Sequence, residues 1–229
     1  MGKDKFLANF PLNINIPSLV KENPSLKGAQ EKIRKLEKLI QPHIFWQELK
    51  INSINEDKVN LALNQEKWTI ESVYLSLGLK NCTHVTLLAL TIGEGLPNYS
   101  QECLKKGLFY EASIADILGS HAVEMLADKF GNYLAQNYLS KGLYPSLRFS
   151  PGYGDFELDN QAKISASLNT KDSIKVTDNY LLEPVKSITA LIGWSSIPKE
   201  KTYPTGEAKK GFCQGGQNCA FCKTWACRK

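Results

Sequence analysis

The stretch Ile174-Lys175-Val176-Thr177-Asp178-Asn179-Tyr180-Leu181-Leu182-Glu183-Pro184-Val185-Lys186-Ser187-Ile188-Thr189-Ala190-Leu191-Ile192-Gly193-Trp194 contains three short runs of apolar and β-branched residues. Residues 174–176, 180–182 and 188–194 read as strands, with Pro184 in the turn before the last. A short helix over 161–168 precedes them. Hairpin-like strands directly after a helix favour antiparallel pairing, so the fold class is α+β rather than a doubly wound parallel sheet.

Upstream, residues 108–138 form the longest periodic stretch. Ile114, Ile117, Leu118, Val123, Leu126, Phe130, Tyr133 and Leu134 recur at helical intervals, which predicts a long core helix. Asp128 and Asn132 stand four apart and share one face of it. Residues 84–92, β-branched and apolar on both faces, are the strongest strand candidate, with Gly93 as the stop and 93–97 as a turn. Residues 58–63 alternate like a strand, and 72–79 read as a helix. Nearer the start, Leu26, Ala29, Ile33 and Leu36 make 25–40 an amphipathic helix. Phe10, Leu12, Ile14 and Ile16 alternate as in an edge strand, whereas Phe45-Trp46 and Leu49 look like an apolar connector.

The expected architecture is a single domain over residues 1–196, with a mainly antiparallel sheet and a long core helix. A linker and short Cys-rich tail follow over 197–229. The 229 residues have ordinary apolar (42%) and charged (22%) content for a globular protein. No apolar run approaches the roughly 20 residues needed to cross a bilayer, and the start lacks a secretory h-region, so a cytoplasmic protein without a membrane partner is expected. A net charge of +5, spread over small lysine clusters, is a weak basis for nucleic-acid binding; a protein partner explains it as well.

One loop stands out chemically: Arg148-Phe149-Ser150-Pro151-Gly152-Tyr153-Gly154-Asp155-Phe156. Pro151 fixes its own φ and holds Ser150 extended, while Gly152 and Gly154 allow φ > 0 and close approach of a ligand. Arg148 presents a planar fork of donors suited to a carboxylate, and Tyr153 a flat ring with a polar tip. The competing structural reading is a Pro-Gly turn between a strand and a helix, with Arg148 on the surface.

The run Arg148-x-x-Pro151-Gly152-Tyr153 resembles the S-adenosylmethionine signature of the activation domain of cobalamin-dependent methionine synthase. The longer run to Phe156 resembles stand-alone relatives of that domain. Thr91-Ile92-Gly93, the segment through Glu111, Asp116 and Glu124, and Pro184 with the run 187–193 extend the likeness over about residues 65–195. The resemblance implies a chain that binds S-adenosylmethionine and supports reductive methylation of cob(II)alamin. The cobalamin would be carried by a separate corrinoid protein, methionine synthase or a related methyltransferase, with flavodoxin or ferredoxin as electron donor. It also implies site residues: Arg148 on the methionyl carboxylate; Ser150, Pro151, Gly152 and Tyr153 around the nucleoside; Asp128 near the ligand; and Trp194 as an aromatic contact or a core residue. Asp128 is shorter than the glutamate the family carries there. No catalytic acid, base or nucleophile is expected, because the cofactors carry the chemistry.

Of the six cysteines, four fall in the tail as Cys213-x5-Cys219-x2-Cys222-x4-Cys227. Such clustering in a reducing compartment favours metal over disulfide, and both zinc and an iron–sulfur cluster accept four thiolates. A metal-free or redox-active tail is the third reading. An alternative function follows from this tail: an electron-transfer or binding module that serves a corrinoid protein through a Cys-ligated metal. A Rossmann-type methyltransferase ranks last, since no Gly-rich strand–helix turn stands near the beginning. The chain also lacks an Asp-x-His-x-x-Gly cobalamin signature, so any cobalamin arrives on another chain.

Overall fold

The computed structural model describes residues 5–63, 66–170 and 172–198. The strands among them are β1 (Lys5–Ala8), β2 (His43–Ile54), β3 (Lys58–Leu63), β4 (Glu66–Glu71), β5 (Cys82–Thr91), β6 (Tyr144–Phe149), β7 (Lys175–Val176), β8 (Leu182–Glu183) and β9 (Ser187–Ser195). The helices are α1 (Ile16–Glu22), α2 (Gln30–Leu36), α3 (Val73–Leu79), α4 (Gly95–Lys105), α5 (Phe109–Leu139) and α6 (Asn160–Ser167). One sheet runs in the order β4-β3-β2-β5-β9-β6, and β1 pairs with the first residues of β2. Every pairing in it is antiparallel, and β7 and β8 form a separate antiparallel ribbon. The fold is α+β, as the strand spacing predicts.

Both faces of the sheet are covered, which is why β5 and β9 read as unbroken apolar runs rather than alternating ones. On one face Leu88, Leu90, Ala190, Ile192 and Trp194 pack with Leu118, Leu126 and Phe130 of α5 and with Leu19 and Ile33 of α1 and α2. On the other, Val85, Leu87, Ala89 and Leu191 pack with Leu75 and Leu79 of α3, Ile164 of α6 and the loop residue Phe156. Each fully buried Leu, Ile or Phe contributes about 1.5–3 kcal/mol relative to an exposed one. Helix α5 packs over β5, β9 and β6, so its solvent side and the sheet edge at β6 are held in one frame.

Several local expectations change. The strand expected at 10–16 does not form: β1 lies earlier, and Ile16 opens α1, whose cap Asn15 accepts a bond from Ser18 N at 3.1 Å. The helix expected over 25–40 is cut by Gly28 at φ 86°, which leaves α2 between two 3₁₀ turns, yet Leu26, Ala29, Ile33 and Leu36 are buried as expected. The supposed connector at Phe45–Leu49 belongs to β2. Strand β4 escaped the sequence reading although Trp68 and Ile70 alternate with Lys67, Thr69 and Glu71. The turn at 93–97 runs into α4, because Pro97 in a first turn needs no intrahelical N–H bond.

Helix α3 lies tightly against the end of β6. A methyl group on Gly78 would overlap the Phe149 ring. Gly78→Ala should therefore destabilise the protein by about 1–3 kcal/mol through overpacking, read as a lower urea midpoint at unchanged slope.

Candidate functional site

The Arg148 loop leaves β6 at the edge of the sheet. Arg148 pairs in register with Ile192, and cross-strand partners share a face, so Arg148 lies on the α5 side. The next residue, Phe149, points the other way and is 1% exposed in the core beneath α3. This alternation sends the guanidinium toward α5. There Nη2 donates to Glu124 Oε2 at 2.5 Å, and Nη1 lies 3.5 Å from Asp128 Oδ1. Glu124 and Asp128, one helical turn apart, thus flank the same cation.

The Arg148 side chain is only 25% exposed, and its buried Nη1 has no hydrogen-bond acceptor among the described residues. Its one ionic contact, Asp128 Oδ1 at 3.5 Å, is not a hydrogen bond, and a buried guanidinium donor left without one is costly and marks a place where an acceptor fits. The two carboxylates do not close the site, since their side chains are 52% and 74% exposed.

The loop itself is a compact hydrogen-bonded turn. Gly152 N donates to Phe156 O at 2.7 Å, and Phe156 N donates to Tyr153 O at 3.1 Å. Gly152 and Gly154 adopt φ of 90° and 61°, and a Cβ on Gly154 would come within 2.8 Å of the Tyr74 ring. Glycine is therefore required at 154 by conformation and by space. Pro151 is buried, Ser150 half-buried, and Tyr153 exposed at the loop tip.

Asp155 anchors the loop to the rest of the fold, a role that sequence reasoning missed. Its carboxylate accepts from Ser72 Oγ at 2.5 Å, Val73 N at 2.7 Å and Tyr74 N at 3.1 Å, at the N-terminus of α3. A carboxylate there satisfies orphan N–H groups and matches the helix dipole. The capping pattern was hidden because cap and helix are about eighty residues apart in sequence. Asp155→Asn should lower stability by about 1–2 kcal/mol and weaken any ligand held by the loop, measured by thermal melting and by titration.

The structure brings together Arg148, Asp128 and, unanticipated as a site residue, Glu124. Trp194 stands apart from them. It is fully buried, stacks on Tyr138 with ring centroids 3.9 Å apart, and donates from Nε1 to Thr86 Oγ1 at 2.8 Å. Its position is that of a core residue, not the wall of an open site. Burial also pushes the Tyr138 hydroxyl above the usual phenol range. Further along α5, Lys186 Nζ donates to Asp116 Oδ1 at 2.6 Å and Ser120 Oγ at 2.8 Å, its stem lying over Gly119. Arg148 and Lys186 thus neutralise the carboxylates along one side of the helix.

The expected metal ligands Cys213, Cys219, Cys222 and Cys227 lie outside the described residues. Among the described residues no cluster of His, Cys, Asp and Glu could hold a metal ion, and Cys82 and Cys103 are buried and outside any disulfide. No described helix is long and apolar enough to cross a membrane.

The sequence matches no family model, and no curated protein is similar to it. The architecture does have a solved counterpart, a crystal structure of the MetH reactivation domain bound to AdoHcy. The two superpose with a TM-score of 0.61 over 84% of this chain and 72% of the other, at 15% identity. The fold is that of the MetH reactivation domain. In this reactivation-domain fold, the Arg148 loop occupies the end of an edge strand facing the long helix.

Proposed function

We propose that the chain binds S-adenosylmethionine at the Arg148 loop and supports reductive methylation of cob(II)alamin on a separate corrinoid protein, methionine synthase or a related methyltransferase. The observation that carries this reading is Arg148. It is a largely buried cation with one nitrogen that makes no hydrogen bond among the described residues, at the mouth of a Pro-Gly-Tyr loop, in a fold whose solved counterpart holds AdoHcy.

Arg148 takes the methionyl carboxylate in its fork, and Glu124 and Asp128 keep the guanidinium aimed while offering negative charge to the ligand's ammonium and sulfonium. Ser150, Pro151, Gly152 and Tyr153 supply backbone and ring contacts to the nucleoside. The corrinoid supplies the nucleophilic chemistry: after one-electron reduction it takes the methyl group from sulfur, and S-adenosylhomocysteine leaves as a neutral thioether. No proton has to move, which agrees with a site built of one cation, two carboxylates and a loop. The chain's contribution is to hold and align the methyl donor. Flavodoxin or ferredoxin supplies the electron, in the cytoplasm.

Calorimetric titration of S-adenosylmethionine into the native protein tests the binding step, and appearance of the methylcobalamin spectrum with reductant and a cob(II)alamin-loaded partner tests the second. Saturable binding at one site per chain is expected. Absence of binding both alone and with the partner would sink the proposal.

A further inference from the structure

The turn between α4 and α5 holds an apolar cluster outward. Residues 104–110 are exposed without a break. Leu104 is 51%, Leu108 44%, Phe109 70% and Tyr110 49% exposed, and Phe109 is the most exposed large apolar residue among those described. Isolated exposed apolar residues are ordinary, whereas four on one turn are not.

This turn is well hydrogen-bonded. Leu108 N donates to Cys103 O at 2.8 Å, Gly107 N donates to Leu104 O at 3.1 Å, and Gly107 sits at φ 72°. Tyr110 Oη donates to Ser25 O at 3.1 Å, which fixes that ring against the 3₁₀ turn preceding α2. A hydrogen-bonded turn that presents Leu, Leu and Phe to water loses little backbone freedom when a partner covers them. Lys105 and Lys106 stand beside the cluster and make no ion pair among the described residues, unlike Lys32 nearby, which is paired with Glu111 at 2.7 Å.

Helix α5 links the apolar turn to the Arg148 site along one exposed face. Phe109, Ser113, Asp116, Ser120, Glu124 and Asp128 are all exposed. Their steps of three and four trace one stripe along the helix from the apolar turn to the carboxylates that hold Arg148. At 1.5 Å per residue that stripe is about 28 Å long. A standard interface of about 800 Å² per partner is roughly 30 Å across, so one protein surface spans both ends.

We infer that the 104–110 turn is a docking point for the corrinoid-carrying partner, which meets it with an apolar patch rimmed by acidic side chains. This role rests on the reactivation function proposed above and deepens it. The turn would anchor the partner at one end of the stripe while its corrinoid faces the methyl donor at the other.

The test uses the full chain, S-adenosylmethionine and the cobalamin-binding module of methionine synthase from the same organism, loaded with cob(II)alamin. Two variants are compared with wild type: Leu104→Ser/Phe109→Ser and Lys105→Glu/Lys106→Glu, all at exposed positions. Expected is unchanged S-adenosylmethionine affinity in all three, with the module's Kd weakened about tenfold or more in the apolar variant. The charge-reversed variant should associate more slowly, most visibly at low salt. Equal module affinity across wild type and variants overturns the docking role, as does a wild type that binds S-adenosylmethionine but not the module. Two further results overturn it: protection of 104–110 from hydrogen exchange in the free chain, which would show cover by its own residues, and self-association lost in the apolar variant, which would make a second copy the occupant. Loss of S-adenosylmethionine binding by wild type would instead refute the proposed function itself.

Discussion

Arg148→Ala is expected to remove saturable S-adenosylmethionine binding while leaving the protein folded. Truncating one partner of a hydrogen-bonded charge pair typically costs about 2–5 kcal/mol, so affinity should fall on the order of 30-fold or more. The fold has little to lose. Once the guanidinium is gone, Glu124 and Asp128, with side chains 52% and 74% exposed, return to water. Ion pairs whose carboxylates face water contribute little, about 0–1 kcal/mol, and thermal melting should change little. Arg148→Lys keeps the charge but loses the planar fork, so it should bind with intermediate affinity. Titration of the three proteins side by side reads the effect directly; equal affinities would remove Arg148 from the site.

The second large effect belongs to Trp194. With no exposed surface, an indole stacked on Tyr138 at 15° between planes, and an Nε1 bond to Thr86, it fills the core beneath α5. Trp194→Ala should cost about 3–5 kcal/mol, a large part of a normal folding free energy. For a chain of this size that lowers Tm by roughly 6–20 °C, followed by far-UV circular dichroism. Trp194→Phe retains stacking and most of the volume, loses the hydrogen bond, and should cost about 1–2 kcal/mol. A different pattern, full stability in Trp194→Ala with ligand affinity lost, would return Trp194 to the binding site.

The contrast between these residues shows what could be read ahead of the structure. Arg148 and its loop were legible because conformation there is local: Pro151 restricts its neighbour, Gly152 and Gly154 permit left-handed backbone, and both adopt it. Trp194 was not assignable to core or site from pattern alone. Strand β9 is buried on both faces along most of its length, so alternation does not say which side chain meets solvent. Strand β2 was missed for a related reason. Its buried residues include Gln47, and its pairing with β3 shifts register between Ile51 and Ser53, which breaks the period that a strand normally shows.

From the sequence by itself came the features written in short-range periodicity: the antiparallel α+β class, the long helix at α5, strands β3, β5 and β9, and the Pro-Gly-Tyr loop. These depend on neighbours two to four residues apart, where side-chain spacing and backbone preference act directly. Only the tertiary structure decided which carboxylates hold Arg148, that Asp155 caps α3, and that Trp194 lies under Tyr138. Those contacts join residues 24, about 80 and 56 positions apart in sequence. Such pairings are set by sheet order and by the path of α5 across the sheet, which bring distant side chains within bonding range only after the chain has packed.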